Sequence, residues 1–392
     1  MTTRTLFLLF TFPLLLFSQS KQEPWSVRIA SSFIRLHPDT IAYPTEAKSY
    51  KWNYEQGLML GAFYQAWLHT KDDQYKNYIK KNLDYYVRKN GTINTYKLTE
   101  FNMDNVAPGK ILLQAYSVFN EQKYLWAADT LRRQLAHQPR TSEGGFWHKK
   151  IYPYQMWLDG LYMGEPFYVL YASTLNDTAA FDDIANQFLL IQKHAYDKRT
   201  GLFYHGWDES KKERWANKET GCSPNFWGRS LGWFAMALVD VLDYFPEQHS
   251  KRKELVLLFQ HFMESVLKQR DEQSKLWYQV VDKQKAPGNY LEASASAMFT
   301  YAFAKGVNRG LLSQKFAPAA RESFDGIIKN LVTVDAKGSI FLNDVCKVSG
   351  LGGNPYRDGS YEYYIGEPRR TNDFKGYGPF LLAAIEIEKL KE

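Results

Sequence analysis

The sequence has few cysteines and no clustered metal ligands. Its 392 residues include only Cys222 and Cys346, too few for a disulfide framework or a cysteine-rich metal cluster. The two thiols can pair only if the fold brings them together, and the sequence leaves this open. The eight histidines show no His-x-x-x-His or comparable spacing, so we predict neither a metal site nor a cofactor.

The chain also lacks a strong excess of one charge. It has 49 lysines and arginines against 42 acidic residues, a net charge of +7, and the basic residues are scattered. Because nucleic-acid surfaces need a basic patch or stripe, we predict no nucleic-acid partner. Aromatic residues, in contrast, make up 16% of the chain. Their flat rings are typical of carbohydrate-binding clefts, although helix packing explains most of them individually.

The chain has one long apolar run, at its N-terminus. The twelve-residue run 6–17 follows Arg4 and precedes a polar segment, and it is too short to span a bilayer. This order predicts a cleavable secretory signal peptide over residues 1–20. No cysteine follows the run, so we predict no membrane anchor. We expect a secreted or periplasmic protein whose residues 21–392 form a single catalytic domain.

Beyond this run, apolar residues recur at helical spacing and strand-like alternation is short and local. Short links at Lys71-Asp72, Glu121, Asn176 and Pro246 allow only antiparallel helical hairpins. They alternate with long links, which would all emerge at one mouth of a ring. We therefore predict an all-α (α/α)6 toroid, a six-hairpin barrel, over a solenoid, because no fixed repeat period is visible. The predicted helices are 26–37, 53–70, 73–90, 105–120, 122–138, 160–175, 177–196, 229–245, 247–270, 290–308, 312–333 and 375–391.

Polar and aromatic residues of catalytic type lie at or before the N-terminal ends of alternate predicted helices. This placement gathers them at the mouth with the long links, where helix N-termini favour an anionic ligand. Each also has a purely structural explanation. Asp104 and Asp159 could be helix N-caps, the histidines could be structural imidazoles, and Arg229 could pair with a local carboxylate. The candidates are Tyr54, Asp104, His148, Asp159, His205, Trp227, Arg229 and Trp233.

Asp159 is the most informative of these residues. The stretch 'YPYQMWLDGLYMGEPF' places it between Trp157 and Met163, where an apolar periodic segment begins. Apolar neighbours would raise the pKa of its carboxyl group and allow it to donate a proton near neutral pH. The sequence therefore offers Asp159 as either a cap or an acid.

Three motifs, 'MWLDGLYMGEPF', 'FWGRSLGWFAMALVDVLDYFP' and 'DGSYEYYIGEPRRTNDFKGYGPFLLA', resemble the unsaturated rhamnogalacturonyl hydrolases of glycoside hydrolase family 105. These enzymes are (α/α)6 barrels related to the unsaturated glucuronyl hydrolases, and the similarity runs from about Trp52 to the C-terminus. The resemblance implies Asp159 as general acid and base and Asp104 as a second active-site carboxylate. It leaves the role of the C-terminal loop around Ser360 open. The implied sugar pocket comprises Tyr54, His148, Trp157, Met163, His205, Trp227, Arg229 and Trp233.

The implied reaction removes a terminal 4,5-unsaturated galacturonyl or glucuronyl residue from oligosaccharides released by lyases, such as rhamnogalacturonan fragments. It proceeds by protonation and hydration of the C4=C5 vinyl ether. Two alternatives remain: a polysaccharide lyase or sugar epimerase that uses His148, His205 and Arg229 on the same toroid, and a non-catalytic protein that binds uronate oligosaccharides. The sequence leaves open the oligomeric state and the choice among rhamnogalacturonan, ulvan and arabinogalactan fragments.

Overall fold

The computed structural model describes residues 23–391, so the predicted signal peptide lies outside the described residues. Within this range, no helix is both long and apolar enough to cross a membrane. The helices are α1 (Trp25–Leu36), α2 (Tyr54–Thr70), α3 (Asp73–Tyr86), α4 (Gly109–Phe119), α5 (Gln122–His137), α6 (Leu158–Leu175), α7 (Ala180–Ala195), α8 (Gly228–Val241), α9 (Arg252–Lys268), α10 (Ala293–Asn308), α11 (Ala317–Leu331), α12 (Tyr361–Gly366) and α13 (Phe374–Lys389). The strands are β1 (Gln155–Trp157), β2 (Gly206–Asp208), β3 (Val332–Val334), β4 (Ile340–Leu342), β5 (Val345–Cys346) and β6 (Arg369–Arg370), which form three antiparallel pairs, β1 with β2, β3 with β4 and β5 with β6.

Six helices form a closed inner ring. In the order α2, α4, α6, α8, α10 and α13, each packs against the next, and α13 packs against α2. The outer helices α3, α5, α7, α9 and α11 each pack against the inner helix that precedes them in the chain. The predicted all-α toroid of six hairpins is confirmed.

Burial separates the inner helices from the outer ones. Every residue of α8 is buried, because neighbours cover this helix on all sides. The outer helix α9 buries a single stripe at positions 255, 258, 259, 262, 263 and 266. This spacing is that of an amphipathic helix with one face on the core. The apolar pattern thus sets which helix of each hairpin faces the axis.

The first and last long helices of the described chain form the sixth hairpin. The backbone N–H and the hydroxyl group of Ser26 donate to the two carboxylate oxygens of Glu388, at 2.9 and 2.6 Å. The hydroxyl group of Tyr377 donates to the carbonyl of Ile29 at 3.1 Å. These contacts tie α1 to α13 and close the ring.

The structure differs from the prediction at some helix boundaries and in its shortest elements. The segment predicted over 105–120 becomes helical only at Gly109, because Asn102 caps a separate 3-10 turn over Met103–Asn105. Helix α12 was not predicted, since six residues are too few to show a helical period. Both cysteines lie in the described part of the chain, where they are buried and free.

Candidate active site

The inner helices bring the predicted site residues to one end of the barrel. Tyr54 is the first residue of α2, and Asp159 and Arg229 are the second residues of α6 and α8. Asp104 lies in the 3-10 turn that precedes α4. Because alternate helices of a six-hairpin ring run in the same direction, these N-terminal ends share the mouth that the long links surround.

A short strand pair places His205 beside the start of α6. In the antiparallel pair of β1 and β2, Trp157 lies opposite Gly206, and the Leu158 N–H donates to the carbonyl of His205 at 3.0 Å. As a result, Nε2 of His205 lies 3.2 Å from Oδ2 of Asp159. The strand pair thus brings together two candidates that are 46 positions apart in the sequence.

Asp159 is not a helix cap. Trp157 occupies the N-cap position of α6 and no side chain caps this end, so the capping explanation for Asp159 is wrong. Oδ2 of Asp159 and Nε2 of His205 are both buried, and within residues 23–391 neither atom has an aligned hydrogen-bond partner. A carboxyl group that lies at the mouth and that no lysine or arginine of the described chain neutralises is available for proton transfer to a bound ligand.

Asp104 lies in a different electrostatic environment. Its Oδ2 forms an ion pair with the Lys149 ammonium group, and its Oδ1 lies 3.5 Å from Nε2 of His148. Burial opposes ionisation, but the attraction of Lys149 and His148 outweighs it and lowers the pKa of Asp104. Burial lowers the pKa of His148 to about 4, although Asp104 opposes this shift. Near neutral pH, Asp104 is therefore ionised and His148 is neutral.

Asp104 is not the cap of α4 either, because Pro108 occupies that position. The carboxylate instead projects from the preceding turn, whose own cap is the side chain of Asn102. The capping explanation is therefore wrong for both candidate carboxylates. Neither carboxylate is engaged by the end of an inner helix.

The Trp157 ring contacts both histidines. His148 and Tyr152 stack on it at centroid distances of 4.5 and 4.9 Å, and His205 meets it edge-on at 5.4 Å. Only 5% of Trp157 is exposed. This ring therefore supports the imidazoles more than it presents a free face for stacking.

Trp233 and Tyr54 form a second aromatic contact, between α8 and α2. Tyr54 meets the Trp233 ring edge-on at 6.1 Å, and Tyr162 stacks on it at 4.5 Å. Burial, reinforced by Glu55 and Asp104, raises the pKa of Tyr54 well above its usual value, so the hydroxyl group keeps its hydrogen. Met163 lies one turn along α6 from Asp159 and belongs to the main hydrophobic core.

Arg229 is buried and only partly paired. Its Nε donates to the Ser294 hydroxyl group at 2.8 Å, and its Nη2 donates to the carbonyl of Cys346. Nη2 also lies 3.5 Å from the carboxylate of Glu292, so a local carboxylate partly neutralises the charge of the guanidinium group. Nη1 is buried without a partner among the described residues. This nitrogen can bind an anionic ligand.

The main contribution that the sequence missed is Tyr364 on α12. Its hydroxyl oxygen lies 2.7 Å from Nδ1 of His205, and its ring stacks on Trp227. The third motif contains Tyr361, Tyr363 and Tyr364, but nothing in the sequence shows which ring points inward. Within the described residues, no group of three or more His, Cys, Asp or Glu side chains could hold a metal ion.

A cavity of about 540 Å³ lies inside the barrel and extends to the end opposite the mouth. Its lining runs from Gly57 and Lys110, near the starts of α2 and α4, to Asp240, Tyr301 and Lys305, near the ends of α8 and α10, and includes none of the ten predicted site residues. Tyr162 lines this cavity and stacks on Trp233. The two rings therefore lie between the cavity and the mouth that carries the candidate carboxylates.

The family model described as Glycosyl Hydrolase Family 88 matches residues 25–391. The chain belongs to this family. A solved structure of a family 105 glycoside hydrolase from C. acetobutylicum ATCC 824 is 44% identical in sequence, with a TM-score of 0.90. The match spans 94% of this chain and 100% of that one. The unsaturated rhamnogalacturonyl hydrolase YesR of Bacillus subtilis (strain 168) is 25% identical over 66% of this chain and 72% of its own length.

The unsaturated glucuronyl hydrolase of Bacillus sp. GL1 is 14% identical, with a TM-score of 0.68 over 93% of this chain and 95% of its own, which shows the shared fold alone. The predicted family is therefore confirmed. So is the predicted class of enzyme, a glycoside hydrolase for unsaturated uronyl oligosaccharides.

Proposed function

We propose that Asp159 is the general acid and base that hydrates the C4=C5 double bond of a terminal unsaturated uronic acid. The observation that carries this assignment is the contrast between the two carboxyl groups at the mouth. Asp104 is held ionised by Lys149 and has no proton to give near neutral pH. Asp159 has no cationic lysine or arginine partner among the described residues and an unpaired oxygen. Different environments give two carboxyl groups different roles.

The reaction follows from the reactivity of a vinyl ether. Asp159 donates its proton to C4, and the positive charge that develops at C5 is shared with the ring oxygen. Water adds to C5 and gives a proton to the Asp159 carboxylate, which restores the acid. The C5 hemiketal then opens, which leaves a hemiacetal at C1 that releases the remaining oligosaccharide. Proton transfer by a positioned side chain accelerates such steps by about 10²- to 10⁴-fold.

The other residues of the mouth bind and orient the sugar. The free Nη1 of Arg229 is suited to the uronate carboxylate. The ionised Asp104 accepts hydrogen bonds from sugar hydroxyl groups, and the hydroxyl group of Tyr54 donates one. Trp233 supports Tyr54, whose ring it meets edge-on. The N-terminal ends of α6 and α8 add partial positive charge, which favours the anionic sugar.

We assign the unsaturated galacturonyl residue of rhamnogalacturonan fragments as the preferred substrate, because YesR is a rhamnogalacturonyl hydrolase by name. The alternative substrate is an unsaturated glucuronyl residue from ulvan or arabinogalactan. The choice is tested by comparing kcat/KM for an unsaturated galacturonyl-rhamnose and its glucuronyl counterpart. A higher kcat/KM for the glucuronyl disaccharide would reverse the assignment.

The ultraviolet absorbance of the conjugated double bond separates the possible activities. A hydrolase makes this absorbance fall when the protein meets oligosaccharides produced by a lyase. A lyase acting on intact polysaccharide makes it rise, whereas a binding protein leaves it constant. We expect a fall with no rise on the intact polymer. An increase on the polymer would refute the proposal.

We also propose that the enzyme works outside the cytoplasm. The support is the basic, apolar and polar order of residues 1–20. N-terminal sequencing of protein recovered from the extracellular or periplasmic fraction should begin between Ser18 and Lys21. A mature chain that starts at Met1 and stays in the cytoplasm would contradict this proposal.

A further inference from the structure

Several contacts hold Tyr364 beside His205. The Nε2 of Gln279 donates to the carbonyl of Tyr364 at 3.0 Å, and its Oε1 accepts a hydrogen bond from Nε1 of Trp227 at 3.1 Å. The rings of Tyr364 and Trp227 stack at 5.9 Å with an interplanar angle of 18°. Ser360 caps the short helix by accepting the N–H of Tyr363. One glutamine therefore links the backbone of Tyr364 to the Trp227 ring on which the Tyr364 ring stacks.

The Tyr364 hydroxyl group determines where His205 carries its hydrogen. Tyr364 is fully buried, and in residues 23–391 its hydroxyl group has one hydrogen-bond partner, Nδ1 of His205, at 2.7 Å. Burial raises the pKa of Tyr364 well above its usual value, so the hydroxyl group keeps its hydrogen. The hydroxyl hydrogen of Tyr364 forms a hydrogen bond only if Nδ1 of His205 accepts it. In a neutral imidazole, the remaining hydrogen is then on Nε2.

Nε2 of His205 faces the proposed acid. It lies 3.2 Å from Oδ2 of Asp159, and both atoms are buried without another partner among the described residues. The two atoms are within hydrogen-bond distance, but the N–H direction is not aligned with Oδ2, and catalytic hydrogen bonds commonly tighten when substrate binds. The side chain of Asp159 is 13% exposed, and since Oδ2 is buried, its accessible oxygen is Oδ1.

We propose that Tyr364 is a positioning residue, which fixes His205 in the Nε2–H tautomer and so anchors Oδ2 of Asp159 while Oδ1 exchanges protons with the substrate. This inference rests on the role proposed above for Asp159. No proton passes through the histidine or the tyrosine. Oδ1 gives its proton to C4 and takes one from the attacking water, while Nε2–H and the tyrosine O–H keep theirs. Tyr364 fixes His205, and His205 in turn orients the reacting carboxyl group of Asp159. Catalytic triads use the same order of three groups.

The test compares Tyr364→Phe with the matched control Tyr363→Phe. Both changes remove one hydroxyl group and keep the ring, but the Tyr363 hydroxyl group accepts the N–H of Gly350 and does not contact His205. For Tyr364→Phe we expect kcat to fall roughly 3- to 10-fold, the effect of one lost hydrogen bond, with KM nearly unchanged. Tyr363→Phe should keep the wild-type kcat.

A spectroscopic measurement reports on His205 independently of turnover. Nitrogen-15 NMR of protein labelled at histidine distinguishes protonated from unprotonated ring nitrogens, and His205→Gln identifies the resonances. We expect wild-type His205 to be protonated at Nε2 and not at Nδ1, and Tyr364→Phe to shift both resonances. Protonation at Nδ1 in the wild type would overturn the inference, as would equal kcat values for the two phenylalanine variants. If the protein did not hydrolyse any unsaturated uronide, the proposed function would be wrong. The NMR measurement needs no turnover, so it would still test the tautomer of His205.

Discussion

Replacing Lys149 with methionine should raise the pKa of Asp104 and destabilise the protein at neutral pH. Methionine keeps the length of the side chain and removes the charge. The Asp104 carboxylate would then remain buried beside a neutral His148, with no cation to offset the cost of burial. We expect the acidic limb of the kcat/KM profile to move to higher pH, since Asp104 must be ionised to bind the substrate.

The size of the effect follows from the exposure of the pair. An exposed ion pair contributes at most about 1 kcal/mol to stability, whereas removing one partner of a fully buried pair costs about 3–5 kcal/mol. The side chains of Lys149 and Asp104 are 20% and 15% exposed, so solvent weakens their attraction. We therefore expect Lys149→Met to lower the free energy of unfolding at pH 7 by an amount between these limits, about 1–3 kcal/mol.

The dependence on pH has a definite sign. The pKa of Asp104 is lower in the folded protein than in the unfolded chain. Its contribution to the free energy of unfolding is therefore complete above its pKa in the unfolded chain, and it is lost as the pH falls through its pKa in the folded protein. Urea unfolding should therefore show a difference between wild type and Lys149→Met that is largest near pH 7 and shrinks below about pH 4.

The neighbouring exposed Lys150, which lies over the Phe101 ring, provides the control. Lys150→Met should change the free energy of unfolding by less than about 0.5 kcal/mol, as is usual for a surface substitution. Equal stabilities of the two variants at pH 7, or a difference that grows on acidification, would refute this account of Asp104.

Two further predictions concern packing and the far end of the barrel. Gly232→Ala should destabilise the protein by about 1–3 kcal/mol, because the added Cβ would lie 2.7 Å from Sδ of Met298. Gly61→Ala, which meets nothing within 4 Å, should be neutral or stabilising in the same urea titration. Asp240→Asn should cost about 1–3 kcal/mol, because it weakens the charged hydrogen bonds of Lys110 and Lys305, although Lys305 keeps Asp243 as an ionised partner. Since Asp240 lies at the opposite end from the mouth, kcat/KM of the folded variant should not change, and a large fall would mean that the two ends are coupled.

The fold could be predicted because it depends on local patterns. The stripe of α9 and the short links within hairpins, such as Lys71-Asp72 between α2 and α3, are visible in the sequence, and they leave few ways to arrange the helices. The link expected at Pro246 is longer than predicted, because α8 ends at Val241 and α9 begins only at Arg252. The placement of Asp159 and Arg229 at one mouth follows from the same scheme, since both begin inner helices. These conclusions need no knowledge of contacts between distant side chains.

The parts that could not be predicted depend on such contacts. Whether Asp104 is a cap, an acid or an ionised partner of Lys149 is decided by the loop that brings residue 149 beside residue 104. Strands of three residues, such as β1 and β2, give no periodic signal, yet they set the distance between His205 and Asp159. Tyr364 reaches the site from 159 residues beyond its histidine partner. Sequence motifs mark such residues as candidates, and only the fold gives them roles.

The most direct test of the account is the turnover of an unsaturated galacturonyl-rhamnose by Asp159→Asn, followed by the loss of the double-bond absorbance. The amide keeps the shape of the side chain and cannot deliver the proton, so kcat should fall by at least about 10²-fold. The melting temperature should stay near that of the wild type, because Asp159 caps no helix and forms no aligned hydrogen bond among the described residues. A folded Asp159→Asn protein that turns over this substrate at close to the wild-type rate would contradict the assignment of Asp159 as the acid.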